Sequence, residues 1–178
     1  MILVAPLEPP QSALKFWWVA LGLLFACFPF ALAADDGSSD RSRFGQRVAG
    51  LYLAVDPDGS HVFSIDADGQ FTYMESPQFT GFSGGPAFSN ELGTWRRVGR
   101  RSLIATSLHL GYWQDGSAFT GTTVLRRTFE FAPGFRSLKV TCTGTAYAPG
   151  VDPFDPQAQS TSSFVCPERG FRRIPAGS

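Results

Sequence analysis

The sequence predicts an all-β protein: a closed, antiparallel, up-and-down barrel of about eight strands that follows an N-terminal signal peptide. Three observations support this prediction. Short runs of alternating apolar and polar residues recur along the chain, turns rich in Gly, Pro and Asp separate them, and no segment shows a sustained helical period. A chain built only of such units must close its sheet or leave exposed edges, which favours a barrel.

The first 34 residues are predicted to be the signal peptide. Phe16 to Ala34 is apolar, follows Lys15, and ends in the small-x-small pattern Ala31-Leu32-Ala33. A retained membrane anchor is the alternative, because the run approaches bilayer thickness. The expected location is secreted or periplasmic, with the membrane a partner only during export.

The remaining chain divides into a short lead-in and one domain. Residues 35–46 are polar and are predicted to be flexible, and residues 47–178 are long enough for a single barrel domain. Fifteen basic residues balance fifteen acidic ones, so no charge field indicates nucleic acid as a partner. The 17 Phe residues favour a packed core or an apolar cavity.

Eight strands are expected, and a long loop interrupts their rhythm. The strands are predicted at 47–55, 61–66, 70–75, 92–98, 102–112, 119–131, 135–147 and 162–174. The loop, Ser76–Asn90, combines Gly and Pro with Phe79, Phe82 and Phe88. We interpret it as a lid across one mouth of the barrel; a loop whose aromatic side chains only cap the core is the alternative.

Two cysteines, Cys142 and Cys166, remain in the mature chain. In an exported protein such a pair is expected to form a disulfide. Both are equidistant in sequence from Phe154, so a hairpin centred there would place them opposite each other. Two buried thiols are the alternative. No metal site is predicted, because the chain lacks a CxxC pair.

Several short motifs resemble those of lipocalin-like (calycin) barrels found in small exported bacterial proteins. They are the first-strand motif Gly50–Tyr52, the turn and strand Asp68–Phe71, and Gly93–Trp95, within a simple meander. The resemblance extends through the mature chain and implies a barrel around a small apolar ligand. Plant allene oxide cyclases and dirigent proteins share a comparable barrel, which keeps a cyclase or isomerase as an alternative function.

A small apolar molecule is therefore the expected partner, without a cofactor. The predicted ligand-binding residues are Tyr52, Phe63, Phe71, Tyr73, Trp95, Leu108 and His109. The sequence assigns no oligomeric state. A third alternative is an interaction protein with a solid barrel and exposed aromatic contacts.

No catalytic residue is assigned, because the chain lacks an ordered Ser/His/Asp set, a phosphate loop and a zinc-protease motif. A cyclase or isomerase would need a pocket where His61, His109, Glu75 or Glu130 converge with shifted acidity. The two Asp-x-Asp-Gly segments are interpreted as hairpin turns rather than calcium loops.

Two strand carboxylates could pair with arginines on neighbouring strands. Glu75 and Glu130 are the carboxylates, and the candidate partners are Arg96, Arg97, Arg126 and Arg127. Outward-facing pairs would form a weak ladder on the surface. A buried pair would instead mark a polar anchor at the base of a ligand cavity. The alternation of residues does not choose between these two arrangements.

Overall fold

The computed structural model describes residues 37–81 and 85–177. The predicted signal peptide and Phe82 of the predicted lid lie outside these residues. Within them the chain forms one α-helix, one 3₁₀ turn (Ser76–Phe79) and nine strands. The elements are α1 (Gly37–Val48), β1 (Gly50–Asp56), β2 (Gly59–Ile65), β3 (Gln70–Glu75), β4 (Ala87–Phe88), β5 (Glu91–Arg97), β6 (Ser102–Tyr112), β7 (Phe119–Phe131), β8 (Ser137–Tyr147) and β9 (Ser162–Arg173).

Eight of these strands close into an antiparallel barrel. Their order around the barrel is β1-β2-β3-β5-β6-β7-β8-β9, and β9 returns to pair with β1. The two-residue strand β4 pairs with the end of β6 beside β5. The predicted meander and its closure are therefore confirmed. The predicted strand ends are displaced by at most a few residues, and β4, inside the predicted lid, was not anticipated.

The disulfide joins the last two strands as predicted. Cys142 of β8 is the Cα partner of Cys166 of β9, and the two residues are bonded with a Cα–Cα distance of 5.0 Å. The register between the strands shifts by one residue between Val140 and Cys142. Such a bulge bends the strand and increases its local twist.

The join between β1 and β9 is the shortest in the barrel. Only two residue pairs form it, Tyr52 with Arg173 and Leu53 with Arg172. Beyond these two pairs, β1 and β9 are connected by a side-chain ion pair instead of backbone pairing. Arg169 Nε lies 2.6 Å from Asp56 Oδ2. We refer to this join as the β1–β9 seam.

One half of the barrel is filled by aromatic side chains. Phe63 lies at their centre, with ring-centroid distances of 4.9 Å to Tyr52, 5.2 Å to Phe129 and 4.8 Å to Phe171. All four rings are buried. Stacked and edge-to-face ring pairs at such distances add to the stabilisation gained from burying the apolar surface.

Helix α1 packs against this filled half. Its Phe44 ring lies 6.0 Å from Trp95, and the buried Val48 accepts a hydrogen bond of 2.8 Å from Tyr52 Oη through its carbonyl. At Gly45 the helix approaches the β2–β3 turn so closely that a Cβ atom would lie 2.2 Å from the Ala67 carbonyl oxygen. The helix therefore covers one end of the aromatic core.

The helix differs from the expected flexible lead-in at residues 35–46. In its sequence, GSSDRSRFGQRV, only Phe44 and Val48 have apolar side chains. They lie one turn apart and are both buried, whereas the rest of the helix is polar. Tertiary packing of these two side chains, rather than a periodic pattern visible in the sequence, stabilises the helix.

Candidate functional site

The other half of the barrel contains a cavity of about 540 Å³ that is partly open to solvent. It lies towards the end where β6 and β8 finish and β7 and β9 begin. Apolar side chains form its walls, including Phe88, Leu125, Val140, Phe164 and Phe171. We call its polar side the polar floor, which consists of Tyr73, Glu75, Glu91, His109 and Arg127. An apolar cavity of this size with a few converging polar groups is typical of a small-molecule site.

The sizes of the inward side chains explain why only one half is hollow. Along β7 the inward residues grow from small to large: Gly121, Thr123, Leu125, Arg127, Phe129 and Phe131. Along the antiparallel neighbour β8 they shrink: Leu138, Val140, Cys142, Gly144 and Ala146. Both strands therefore place bulky groups in the filled half and small ones around the cavity. Eight-stranded barrels leave room for one small ligand only when inward side chains are small.

Phe164 of β9 lies directly over Gly144, its Cα partner on β8. A Cβ atom on residue 144 would lie 2.1 Å from Phe164 Cζ. The absence of a side chain at Gly144 therefore allows the Phe164 ring to approach β8 at the cavity wall.

Arg127 and Glu91 form a buried, two-pronged ion pair in the polar floor. Arg127 Nη1 donates to Glu91 Oε2, and Nη2 donates to Glu91 Oε1 at 2.7 Å. Ser107 Oγ donates to Glu91 Oε2 at 2.7 Å. The guanidinium carbon of Arg127 also lies 4.4 Å from the centre of the Tyr73 ring. Bidentate geometry with an extra donor is what allows such charges to be buried.

A second polar cluster lies next to the first. His61 Nδ1 lies 2.8 Å from Glu75 Oε2 and 2.9 Å from Tyr73 Oη, and Tyr73 Oη donates to Glu75 Oε2 at 3.0 Å. His61 Nε2 lies 3.3 Å from Asp56 Oδ1, and Arg169 Nε donates to Asp56 Oδ2 at 2.6 Å. His61 thus bridges two carboxylates, one facing the cavity and one facing the β1–β9 seam.

Burial and charge shift the pKa values of several of these groups. Burial, with the nearby Glu75 carboxylate, raises the pKa of Tyr73, so that its hydroxyl remains a donor. Burial also raises the pKa of Glu91, against the lowering effect of Arg127. At the seam, the hydrogen bond from Arg169 lowers the pKa of Asp56. The floor therefore presents fixed, hydrogen-bonded groups to the cavity.

His109 is the exception to this satisfied network. Its Nδ1 is the one buried side-chain nitrogen or oxygen in the described part of the chain that lacks a hydrogen-bond partner. Its ring stacks on Phe88 of β4, with the ring centres 4.8 Å apart. Burial, together with the charge of Arg127, lowers the pKa of His109 to about 4. The imidazole is consequently neutral at physiological pH.

The depressed pKa of His109 predicts a loss of stability in mild acid. The unfolded chain binds a proton on this residue near its usual pKa of about 6.5, whereas the folded chain does so only near 4. The free energy of unfolding should therefore fall as the pH decreases from about 6.5 to about 4, by up to about 3 kcal/mol. Urea unfolding of the wild type and of His109→Gln across this range measures the effect.

The comparison between the two proteins isolates His109, since the carboxylates titrate in both. The wild type should lose more stability than His109→Gln between pH 6.5 and 4. Parallel stability curves for the two proteins would contradict the assignment of a buried neutral imidazole.

Two of the seven predicted ligand-binding residues line the cavity. Tyr73 and His109 belong to the polar floor. The other five do not line it: Tyr52, Phe63, Phe71, Trp95 and Leu108. The first four are buried among the aromatic side chains of the filled half. Leu108 lies between the inward residues Ser107 and His109 and is only half-buried, because successive residues of a strand face opposite sides of the sheet.

The predicted lid contributes to the cavity through part of its length. Residues 85–88 line it, and Phe88 has the largest side chain among them. Phe79, in contrast, is largely exposed at the end of the 3₁₀ turn.

A buried Arg–Glu pair does lie at the base of the cavity, but its carboxylate is neither of the two considered. Glu130 is exposed and lies opposite Lys139 on the outer face. Glu75 binds His61 and Tyr73. The partner of Arg127 is Glu91, which was not predicted from the sequence. The alternation Glu91, Gly93, Trp95 could have identified it, because it places Glu91 on the same face as the buried Trp95.

Comparisons of the chain with protein-family models, with curated proteins and with solved structures found no match. In the described residues no helix is long and apolar enough to span a membrane. In the same part of the chain no group of three or more His, Cys, Asp or Glu side chains is arranged to hold a metal ion.

Proposed function

We propose that this protein is an exported, lipocalin-like barrel that binds one small, mainly apolar molecule in its cavity. The observation that carries the proposal is the division of the barrel into a filled half and a hollow half. The hollow half offers about 540 Å³ between apolar walls and a compact polar floor. A ligand with an apolar body and one polar end matches this distribution.

Two further observations support export. The apolar segment Phe16–Ala34 has the features of a signal peptide, and the chain carries a disulfide between Cys142 and Cys166. Disulfides persist in oxidising compartments and are rare in the reducing cytosol.

Filling the cavity should weaken binding strongly. Thr123 lines the cavity and is the Cα partner of His109 and Ala146. Thr123→Trp places an indole into the ligand space, and we expect it to weaken binding of the uncharged fluorophore 6-propionyl-2-(dimethylamino)naphthalene by at least about tenfold. The measurement is the blue shift and intensity gain of the dye titrated with protein.

Thr128→Trp is the matched control. It makes the same substitution on the same strand. Thr128 lies between the buried Arg127 and Phe129, and it faces the outside of the barrel because successive side chains of a strand point to opposite faces. This variant should bind the dye as the wild type does. Equal dye binding by all three proteins, or no saturable binding by the wild type, would refute the proposed function.

A cyclase or isomerase is the second candidate, favoured by the contact of His61, Tyr73 and Glu75 beside the cavity. A carboxylate held by two donors can accept a proton from a bound substrate once one of these donors moves. Native mass spectrometry of protein from its own host identifies a co-purified molecule by its mass, and chromatography of the released molecule before and after incubation separates the two functions, because isomers have equal mass. A co-purified molecule recovered unchanged after incubation supports binding, and one converted to an isomer supports catalysis. The hollow half disfavours the third alternative, a solid barrel.

A further inference from the structure

The polar floor indicates which chemical class of ligand the cavity accepts, an inference that rests on the proposed function. Two cationic side chains line the cavity within the described residues, Arg127 and Arg169. Glu91 engages Arg127 through both carboxylate oxygens. Asp56 and Asp58 engage Arg169, with Nη2 of the arginine 3.3 Å from Asp58 Oδ2. Each cation therefore already has carboxylate partners.

The one other charged side chain that lines the cavity in the described part of the chain, Glu75, carries a carboxylate. Glu75 and Asp58 line it together with Glu91, so that a ligand carboxylate would meet three carboxylates and two arginines that are already paired. His109 supplies no positive charge, because burial keeps its imidazole neutral. An anionic head group would therefore lose its hydration without gaining a free cation.

His109 offers the one hydrogen-bonding group of the floor that the protein leaves unused. Neither of its ring nitrogens has a partner among the described residues, and Nδ1 is enclosed by the protein. We assign the proton to Nε2, since a neutral imidazole carries one N–H and an enclosed N–H without an acceptor is unfavourable. The ring lines the cavity, so Nε2 is the nitrogen left to donate to a ligand. Stacking on Phe88 fixes the orientation of the ring.

We propose that the cavity selects an uncharged ligand whose carbonyl or hydroxyl oxygen accepts a hydrogen bond from His109 Nε2, and that it discriminates against fatty carboxylates. The apolar walls hold the hydrocarbon body, and His109 holds the single polar atom. The Arg127–Glu91 pair acts as a rigid, neutral boundary of the site rather than as an anion receptor.

The test compares two probes of the same chain length, 2-decanone and decanoate. Each displaces 6-propionyl-2-(dimethylamino)naphthalene from the full chain at a pH of about 7.5, where decanoate is ionised. We expect the ketone to bind at least about tenfold more tightly than the carboxylate. His109→Phe keeps a ring on Phe88 but removes the N–H, and should weaken ketone binding about five- to tenfold and reduce the ketone-to-acid ratio. His109→Gln retains an amide N–H donor and should lose less.

The outcomes separate this inference from the proposed function. Decanoate binding as tightly as 2-decanone would overturn the inference while leaving a ligand-binding barrel. Unchanged ketone affinity in a folded His109→Phe protein would also overturn it. Failure of both probes and of the dye to bind the wild type would overturn the inference and the proposed function together. The comparison of the two probes on the wild type does not depend on the folding of any variant.

Discussion

Replacing Arg127 with methionine is expected to lower the free energy of unfolding by about 3–5 kcal/mol. The substitution leaves Glu91 buried without its cation, and only the Ser107 hydroxyl remains as a donor to its carboxylate. It also removes the guanidinium from the Tyr73 ring. Methionine fills much of the arginine volume, so that the lost charge pairing, rather than a cavity, dominates the effect. Urea unfolding at neutral pH measures the change.

A double-mutant cycle tests whether the pairing is the cause. Glu91→Leu alone should be similarly damaging, whereas Glu91→Leu combined with Arg127→Met buries no charge and should recover much of the loss. Lys139→Met is the matched control, since Lys139 pairs with Glu168 on the surface where the side chains are 70% and 54% exposed. Its effect should stay below about 1 kcal/mol. A double variant as unstable as the sum of the single variants would contradict the explanation.

Removal of the disulfide should cost nearly as much. Cys142 and Cys166 are 24 positions apart in sequence and join β8 to β9. The cross-link restricts the unfolded chain, and a loop of this length corresponds to about 3–4 kcal/mol on the chain-entropy model. Cys142→Ala combined with Cys166→Ala, in a background with Cys27→Ser to prevent other pairings, should lose this stability in urea unfolding.

Urea unfolding of both proteins in the presence of a reducing agent is the control for this second prediction. When the wild-type bond is reduced, the unfolded wild type regains its freedom, and the difference between the two proteins should shrink to a small fraction. A difference that persists unchanged in reducing agent would assign the loss to packing of the buried Cys142 side chain instead.

Much of the fold could be predicted because local chemistry determines it. Asp-Gly and Pro-containing turns separate strands of clear alternation, and a meander of such strands closes on itself. The equal sequence distances of Cys142 and Cys166 from Phe154 predicted the pairing of the last two strands. Helix α1 could not be predicted in this way, because burial of Phe44 and Val48 against the finished barrel stabilises it.

The candidate site was harder to predict from the sequence than the fold, for a geometric reason. Alternation shows which side chains point inwards but not how far along the barrel axis they lie. Trp95 and His109 both point inwards, yet the first fills the core and the second borders the cavity. The position along the axis depends on the register between strands and on the size gradient along β7 and β8. Glu91 was missed for a related reason, since a single carboxylate at the start of a strand resembles a solvent-exposed residue until its arginine is located.

The β1–β9 seam also bears on the order in which the molecule assembles. All the other joins connect strands that are close in sequence, so these strands can pair as successive hairpins. The seam joins the first strand to the last. It can therefore form only when nearly the whole chain is available to fold. Until the seam forms, the sheet has two unpaired edge strands, and the cavity is complete only when β1 and β9 pair.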